Sequence, residues 1–519
     1  MNNNAKFPDI AFVKKKKKKY KKFIIGILNN YHNLNNSSRY WTPIIDLWLD
    51  DILFHVHYKI ISYKPIYNSK FYLKKFNYFF KEPGDVKHAL FEKELNFYLN
   101  YLIKNSINKK KLNNNFFFAN KYFQKKYDSI NPVYITLVRK LIVFYIFLVK
   151  PIVIINGYFG YKNAIKIFIY SLGKIIILNG KHIFNKNIDK NFVDINFRKK
   201  INFNKKKDLF DEIFNCLLKF LLPMSFLENY LQIKKYIQFY SNNISKLATA
   251  NLHLLDGHFK ILLSEFLKKD KPFFVFQHGA WWNVCNYFKY SNFERRIANK
   301  CYYWNNKLGL GFNYLSRFKK IKKNELLKRK FIVYFGAQGR LEGLHDMLVP
   351  FKIFHKGYDY KPYRFYKKLD DNLKVHFKYR PLGYRKNNIQ IINKMKKISN
   401  IDNNLLSKTL YDSRLVVTDL FSTIFYECVY IGAPIIVIAD INSFNLKKSY
   451  INILLGLTKQ KMIFSTPEQA AIFLNKNYDN LIEWWDNLYN SSIMIKLKNF
   501  LYKEDNNFCK KITIELKKN

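Results

Sequence analysis

Residues 152–180 read IVIINGYFGYKNAIKIFIYSLGKIIILNG, and this stretch decides the fold. The β-branched run Ile152–Ile155 ends in Asn156-Gly157, a turn signal. A helical stretch from about Asn163 to Leu172 stops at Gly173, and a second run, Ile175–Leu178, ends in Asn179-Gly180. Strand, turn, helix, stop and strand make a βαβ unit with its two strands parallel. Downstream, Phe273–Phe276 is another buried strand that runs into Gln277-His278-Gly279. A second α/β series follows, with strands expected at Phe331–Phe335, Lys374–Lys378, Leu415–Thr418 and Ile435–Ile438. Two successive α/β halves predict two Rossmann-like domains facing a cleft, with ligands beyond the carboxyl ends of the strands.

Around these halves the chain divides into a basic, Asn-rich tail (1–38), an N-terminal Rossmann-like domain with helical insertions (39–318) and a Lys-rich linker (319–330). A C-terminal Rossmann-like domain (331–480) and a C-terminal helical tail (481–519) complete it. The N-terminal region is helical: Tyr40 to Ile61 has Thr42 as its expected cap, Pro43 in the first turn, and Ile45, Leu49, Leu53 and Val56 on one face. The stretch 208–268 reads as mostly helical.

Composition narrows the function classes. The chain has 519 residues, 49% apolar and 18% aromatic, enough for large cores and against global disorder. Five scattered cysteines form no C-x-x-C and no even framework, which fits a reducing cytosol. Lys+Arg 90 against Asp+Glu 37 leaves a net charge of +53. Such an excess attracts nucleic acid, anionic lipid or anionic substrates. The same chain is saturated with Asn, Ile, Phe and Tyr, the residues of A/T-rich codons, so coding bias accounts for much of the lysine. No zinc finger, RRM signature or bZIP heptad concentrates the charge, and nucleic acid is not the expected partner. The one cluster, eight lysines within Lys14–Lys22 followed by Phe23-Ile24-Ile25, suits an anionic membrane surface. The longest apolar run, Leu141–Val149, is nine residues against the ~20 a membrane span needs. A cytoplasmic protein, peripheral at the inner face of the plasma membrane, is the expectation.

Three windows carry chemistry. In Leu415–Glu427 a strand gives way to a helix capped by Ser422 or Thr423, and a helix N-terminus is a natural seat for phosphate. Glu427, one turn further on, is placed to accept hydrogen bonds from a ribose diol. In the second window His278 lies in the turn after a buried strand, where an imidazole can deprotonate an attacking hydroxyl; Gln277 and Gly279 would line the approach of an acceptor. In the third, Arg380 and Arg385 follow a strand end and are candidates for bidentate phosphate binding. His253 and His258 show no acidic partner at metal spacing, and no P-loop, nucleophile elbow or strand-flanked D-x-D is present.

Arg39-Tyr40-Trp41, Leu47-Trp48-Leu49, Gln277-His278-Gly279, Ala298–Trp304, Arg380-Pro381 with Gly383-Tyr384, and Ser422-Thr423 with Glu427 follow one another in an order that resembles bacterial surface-carbohydrate transferases of the GT-B class. A more distant similarity is to CDP-glycerol glycerophosphotransferases and to capsule Kdo or sialic-acid transferases. The resemblance implies metal-independent transfer, without a cofactor, from a nucleotide-activated sugar donor in the C-terminal domain to a capsule, lipopolysaccharide or lipid-linked glycan acceptor. It also implies a His-Gly element, here His278-Gly279, near the acceptor; with the windows above, the expectation is His278 as base, Arg380, Ser422 and Thr423 on the donor phosphates, and Glu427 on the ribose. Alternatives are polyol-phosphate transfer, nucleotide-sugar epimerisation, and a non-enzymatic RNA- or membrane-surface protein. The chain has Arg380-Pro381 where the glycerophosphotransferases usually carry His-Pro, and Ala280-Trp281-Trp282 where near relatives carry small residues.

Overall fold

The computed structural model describes residues 9–63, 78–90, 93–108, 121–123, 132–184, 192–203, 208–336, 361–381, 389–402 and 404–518. A short parallel pair, β1 (Tyr78–Phe80) with β2 (Lys121–Phe123), stands apart from two larger sheets. The first of these contains β3 (Ile152–Ile155), β4 (Ile175–Leu178), β5 (Lys246–Thr249), β6 (Phe273–Phe276) and β7 (Lys300–Tyr302), in the order β4-β3-β5-β6-β7. The second contains β8 (Phe331–Gly336), β9 (Phe377–Pro381), β10 (Asn400–Ile401), β11 (Ser413–Thr418), β12 (Ile435–Ile438) and β13 (Ile463–Phe464), in the order β10-β9-β8-β11-β12-β13. All pairings in both are parallel. Counted from their own first strands the orders are 2-1-3-4-5 and 3-2-1-4-5-6, the two doubly wound arrangements. The protein is α/β, with two Rossmann-like halves as expected.

The strands are uninterrupted apolar runs because both sheet faces are covered. Val153, Ile155, Leu247 and Val275 face a core that is shared with Val333, Phe335, Val416 and Val437 of the second sheet. The alternate residues Ile152, Ile154, Phe274 and Phe276 face a separate core, to which Phe508, Ile512 and Leu516 contribute. The chain therefore ends on the first sheet: the helix Phe508–Lys518 packs there, and the Lys246 amine donates to Leu516 O at 2.8 Å. The region 481–519 is helical as expected, but it is not a tail. Trp485 is buried and its indole N–H donates to Gly432 O at 2.9 Å.

The N-terminal tail is also corrected. Residues Ile10–His32 form helix α1, capped by Asp9 and stopped by Asn33 at φ 52°. Val13, Tyr20, Ile24 and Leu28 recur at helical spacing and are fully buried. Lysines from the basic tract pair with carboxylates, of which Asp46, Asp50 and Asp211 are buried. Lys16 reaches Asp208 and Asp211, Lys19 reaches Asp211, Lys17 lies 2.7 Å from Asp50, and Lys21 lies 2.7 Å from Asp46. Half the charge assigned to a membrane tether is thus engaged inside the protein.

Helix α2 (Ser38–Ile61) begins two residues before the expected start, with Ser37 as its cap, so Pro43 falls inside it and Thr42 donates to Ser38 O. The strand expected at 374–378 lies three residues later, because Phe377 and Tyr379 face the core while Val375 is exposed. The stretch 319–330 is no free linker: Ile321 N–H donates to Ile431 O and Leu326 is buried. No helix among the described residues is long and apolar enough to cross a membrane.

Candidate active site

In each sheet the strand order reverses at one point, and the crevice outside the carboxyl ends there is where doubly wound folds bind ligands. In the second sheet the reversal lies between β8 and β11. Beyond β11 the helix Thr423–Ile431 begins, with Ser422 in extended conformation at its N-cap position. Among the described residues Ser422 makes no capping bond, and its Oγ is buried without a hydrogen bond, as is Thr418 Oγ1 at the strand end. A cap hydroxyl usually satisfies an orphan N–H of the first turn. Here the Ser422 hydroxyl satisfies none. Lys361 donates to Ile438 O at the end of β12, at 2.9 Å. Burial lowers its pKa to about 8, while Asp419 and Asp440 pull against that shift.

Glu427 lies one turn into the same helix and is fully buried. Burial pushes its carboxyl up to about 7, with the Tyr314 hydroxyl and the Arg317 guanidinium opposing it. Arg317 Nη2 is 3.8 Å away, and neither carboxylate oxygen has a well-formed hydrogen bond. The raised value has a stability consequence with a definite sign. Between pH 4.5 and about 7 the folded state holds a proton that the unfolded chain has released, so stability is lost as pH rises through that window. The shift corresponds to ~3 kcal/mol. Glu427→Gln should melt with the wild type at pH 4 and above it at pH 8; thermal melting at both pH values checks this, and parallel curves would mean that Glu427 is not held protonated.

In the first sheet the reversal lies between β3 and β5. Tyr158, just past β3, takes the left-handed conformation at φ 57°, rare for a bulky side chain. The Asn251 amide beyond β5 donates to its hydroxyl at 2.6 Å. The Tyr158 ring stacks on His278 (centroids 6.2 Å, 21°) and meets Tyr314 edge-on at 5.8 Å. The Arg317 guanidinium lies 4.1 Å over the Tyr314 ring. An aromatic and cationic bridge therefore runs from His278 on the first sheet to Glu427 on the second.

His278 is half-buried beyond β6, its other side against Trp282 at 4.6 Å. The Trp282 indole donates to Glu294 at 2.5 Å, and the other Glu294 oxygen is 2.8 Å from His253 Nε2. Burial drives Glu294 up and His253 down, both toward their neutral forms. His253 and His258 do have acidic partners, Glu294 and Glu82, far away in sequence. Among the described residues no three His, Cys, Asp or Glu side chains converge as metal ligands.

Several expected site residues have other work. The Gln277 side chain clamps the turn, donating to Gly279 O and accepting from Trp304 N–H at 2.9 Å. Gly279 makes room for the Trp282 ring, which a Cβ would meet at 2.7 Å. Trp281 stacks on Phe444 of the second half. Arg380, at the end of β9, donates through Nη1 to Asp402, Asn404 O and Thr409 at 2.7–2.9 Å, which ties that nitrogen to the protein. Gly383, Tyr384 and Arg385 lie outside the described residues. Tyr40 and Trp41 are core residues, Tyr40 bonding Tyr230 and Glu265. Sequence reasoning missed Tyr158, Asn251, Tyr314, Arg317 and Lys361; only Tyr158, following Asn156-Gly157 at a strand end, carried a signal.

Two doubly wound halves are thus linked through the aromatic and cationic contacts that run from His278 to Glu427. The chain belongs to the LIC12162 family of transferases, whose sequence profile matches residues 2–495. A comparison with curated proteins finds no match. Three solved chains are similar. One is MurG from Acinetobacter baumannii, 11% identical, with 71% of this chain and 99% of that one covered at a TM-score of 0.33.

Proposed function

We propose that this transferase moves a sugar from a nucleotide-activated donor to a hydroxyl of a surface-glycan or lipid-linked glycan acceptor. The observation that carries the reading is Ser422: a buried cap hydroxyl without a capping bond, at a helix N-terminus, in the switch-point crevice of a 3-2-1-4-5-6 sheet. The donor diphosphate would lie against Ser422, Thr423 and the first-turn N–H groups, and the ribose diol toward Glu427. His278, from the other sheet, takes the proton of the acceptor hydroxyl. That oxygen bonds to the anomeric carbon as the carbon–phosphate oxygen bond breaks, and the nucleoside diphosphate leaves with the electron pair. The helix N-terminus, with Arg317 and Lys361 nearby, meets its charge, so the proposal needs no metal or cofactor.

The test is a thermal-shift panel of CMP, CDP, UDP, GDP and dTDP on the full chain, repeated on Ser422→Ala/Thr423→Ala. A nucleotide at ~100 times its dissociation constant stabilises by about 2.7 kcal/mol. Hydrogen bonds to charged groups contribute about 1.5–3 kcal/mol each, so the double variant should bind at least tenfold more weakly. Unchanged nucleotide affinity in a folded double variant rules out this donor site. Products separate the remaining chemistries: phosphate retained on the acceptor would indicate polyol-phosphate transfer, and an isomerised nucleotide sugar without acceptor an epimerase.

A further inference from the structure

Twelve of the twenty-five large apolar side chains exposed among the described residues lie between Leu137 and Leu172. They occupy two helices that flank β3, Pro132–Val149 and Tyr161–Tyr170. On the first, Leu141, Phe144 and Leu148 share a face at spacings of three and four, each at least 61% exposed. On the second and just past it, Ile165, Ile169 and Leu172 are at least half exposed. The two helices form one surface: the Tyr145 hydroxyl donates to Gly173 O at 2.6 Å, and its ring lies 6.4 Å from Phe168. Contiguous apolar surface of this kind marks a docking site.

The charge around it selects the partner. Residues 132–184 contain seven Lys or Arg and no Asp or Glu. Lys140, Lys150, Lys162, Lys166 and Lys174 are all exposed. A groove of about 640 Å³ opens beside the first helix, walled by Val143, Phe144, Phe147, Tyr236 and Phe239. A second copy of this chain would bring the same cations face to face, which like-charge repulsion opposes. Nucleic acid would match the lysines but would leave the leucines and isoleucines without a partner. An anionic bilayer satisfies both: apolar side chains enter the boundary between headgroups and acyl chains while lysine ammonium groups stay among the phosphates.

We propose that the face formed by Pro132–Val149 and Tyr161–Tyr170 docks the protein on an anionic lipid surface. The second helix starts three residues after Tyr158, and Gly160 packs against Arg317, where a Cβ would come within 3.2 Å of the Arg317 Cβ. Only the Tyr161 end of this face lies beside the candidate site, and a docked protein would meet a lipid-linked acceptor at the surface that holds it. That consequence rests on the transfer reading above; the docking does not.

The experiment is co-sedimentation of the full chain with vesicles of phosphatidylcholine alone or with about one third phosphatidylglycerol, at low and high salt. Two variants accompany it, Leu141→Gln/Phe144→Gln/Leu148→Gln and Lys162→Glu/Lys166→Glu. The wild type should partition onto the anionic vesicles in a salt-sensitive manner, and each variant should lose at least tenfold of that partition. All five side chains are exposed, so melting should be unchanged; if the triple variant unfolds, the charge reversal still decides. Wild-type partition onto anionic vesicles no greater than onto neutral ones, or equal partition by the variants, overturns the proposal. Self-association of the wild type that the triple variant abolishes also overturns it, giving the face to a second copy. Nucleotide binding measured in parallel keeps the two readings apart: its absence would remove the transferase site and leave the vesicle result standing.

Discussion

His278→Ala should lower turnover by ~10²–10⁴-fold, the usual contribution of a positioned general base, while nucleotide affinity stays within a few-fold of the wild type. The separation follows from the architecture. His278 belongs to the turn beyond β6 of the first sheet, whereas Ser422, Thr423 and Glu427 belong to one helix start on the second. The imidazole is held on two sides, stacked on Tyr158 and edge-on to Trp282, so its loss removes a base from a fixed position. Trp282 is itself fixed by Glu294, and Glu294 by His253. Trp282→Phe keeps the ring but drops that indole bond, and should lower kcat more than it raises KM if the tryptophan orients the imidazole. Near wild-type transfer by His278→Ala would make the histidine structural. Glu294, behind Trp282, and Asp419, just past β11, are both fully buried, so neither carboxylate could take its place as it stands.

What the sequence revealed of this fold depended on where burial leaves a local mark. Ile152–Ile155, Ile175–Leu178, Phe273–Phe276 and Ile435–Ile438 are strands as read, because a strand covered on both faces must be apolar at consecutive positions. Lys246–Thr249, with a lysine, an alanine and only one β-branched residue, has no such mark and was read as part of a helical stretch. Its strand character comes from β3 and β6 on either side. The same limit applies to the site. His278, Ser422 and Glu427 are legible because each closely follows a strand. Tyr158, Tyr314 and Arg317 meet only when distant parts of the first half fold together, and Arg317 reaches Glu427 only across the two halves; nothing local in the chain records either meeting. Arg380 shows the converse: at a strand end it reads as a free cation, yet Asp402 and Thr409, 22 and 29 residues on, already share its Nη1.

The lysine tract gives the sharpest test of long-range pairing. Lys16→Met with Lys19→Met should destabilise the protein by about 3–5 kcal/mol, whereas Lys15→Met with Lys18→Met, from the same run, should change stability by no more than ~0.5 kcal/mol. The two pairs are indistinguishable in sequence. In the structure Lys16 and Lys19 point at Asp211, a carboxylate with no solvent exposure, each within 2.7 Å of one of its oxygens. The Tyr20 hydroxyl adds a third hydrogen bond at 2.6 Å. Removing both amines takes two charged donors away from a buried carboxylate, and the desolvation it has already undergone loses their compensation. Lys15 and Lys18 lie on the exposed face of α1, where water replaces any partner. Since a domain is stable by only ~5–15 kcal/mol, the first pair should show plainly in thermal melting and the second should not. Melting curves that coincide for both pairs would return the tract to a solvated tail. A difference in the stated direction would show that its lysines are part of the core, placed there by acids at 46, 50 and 211 that no reading of the run itself could find.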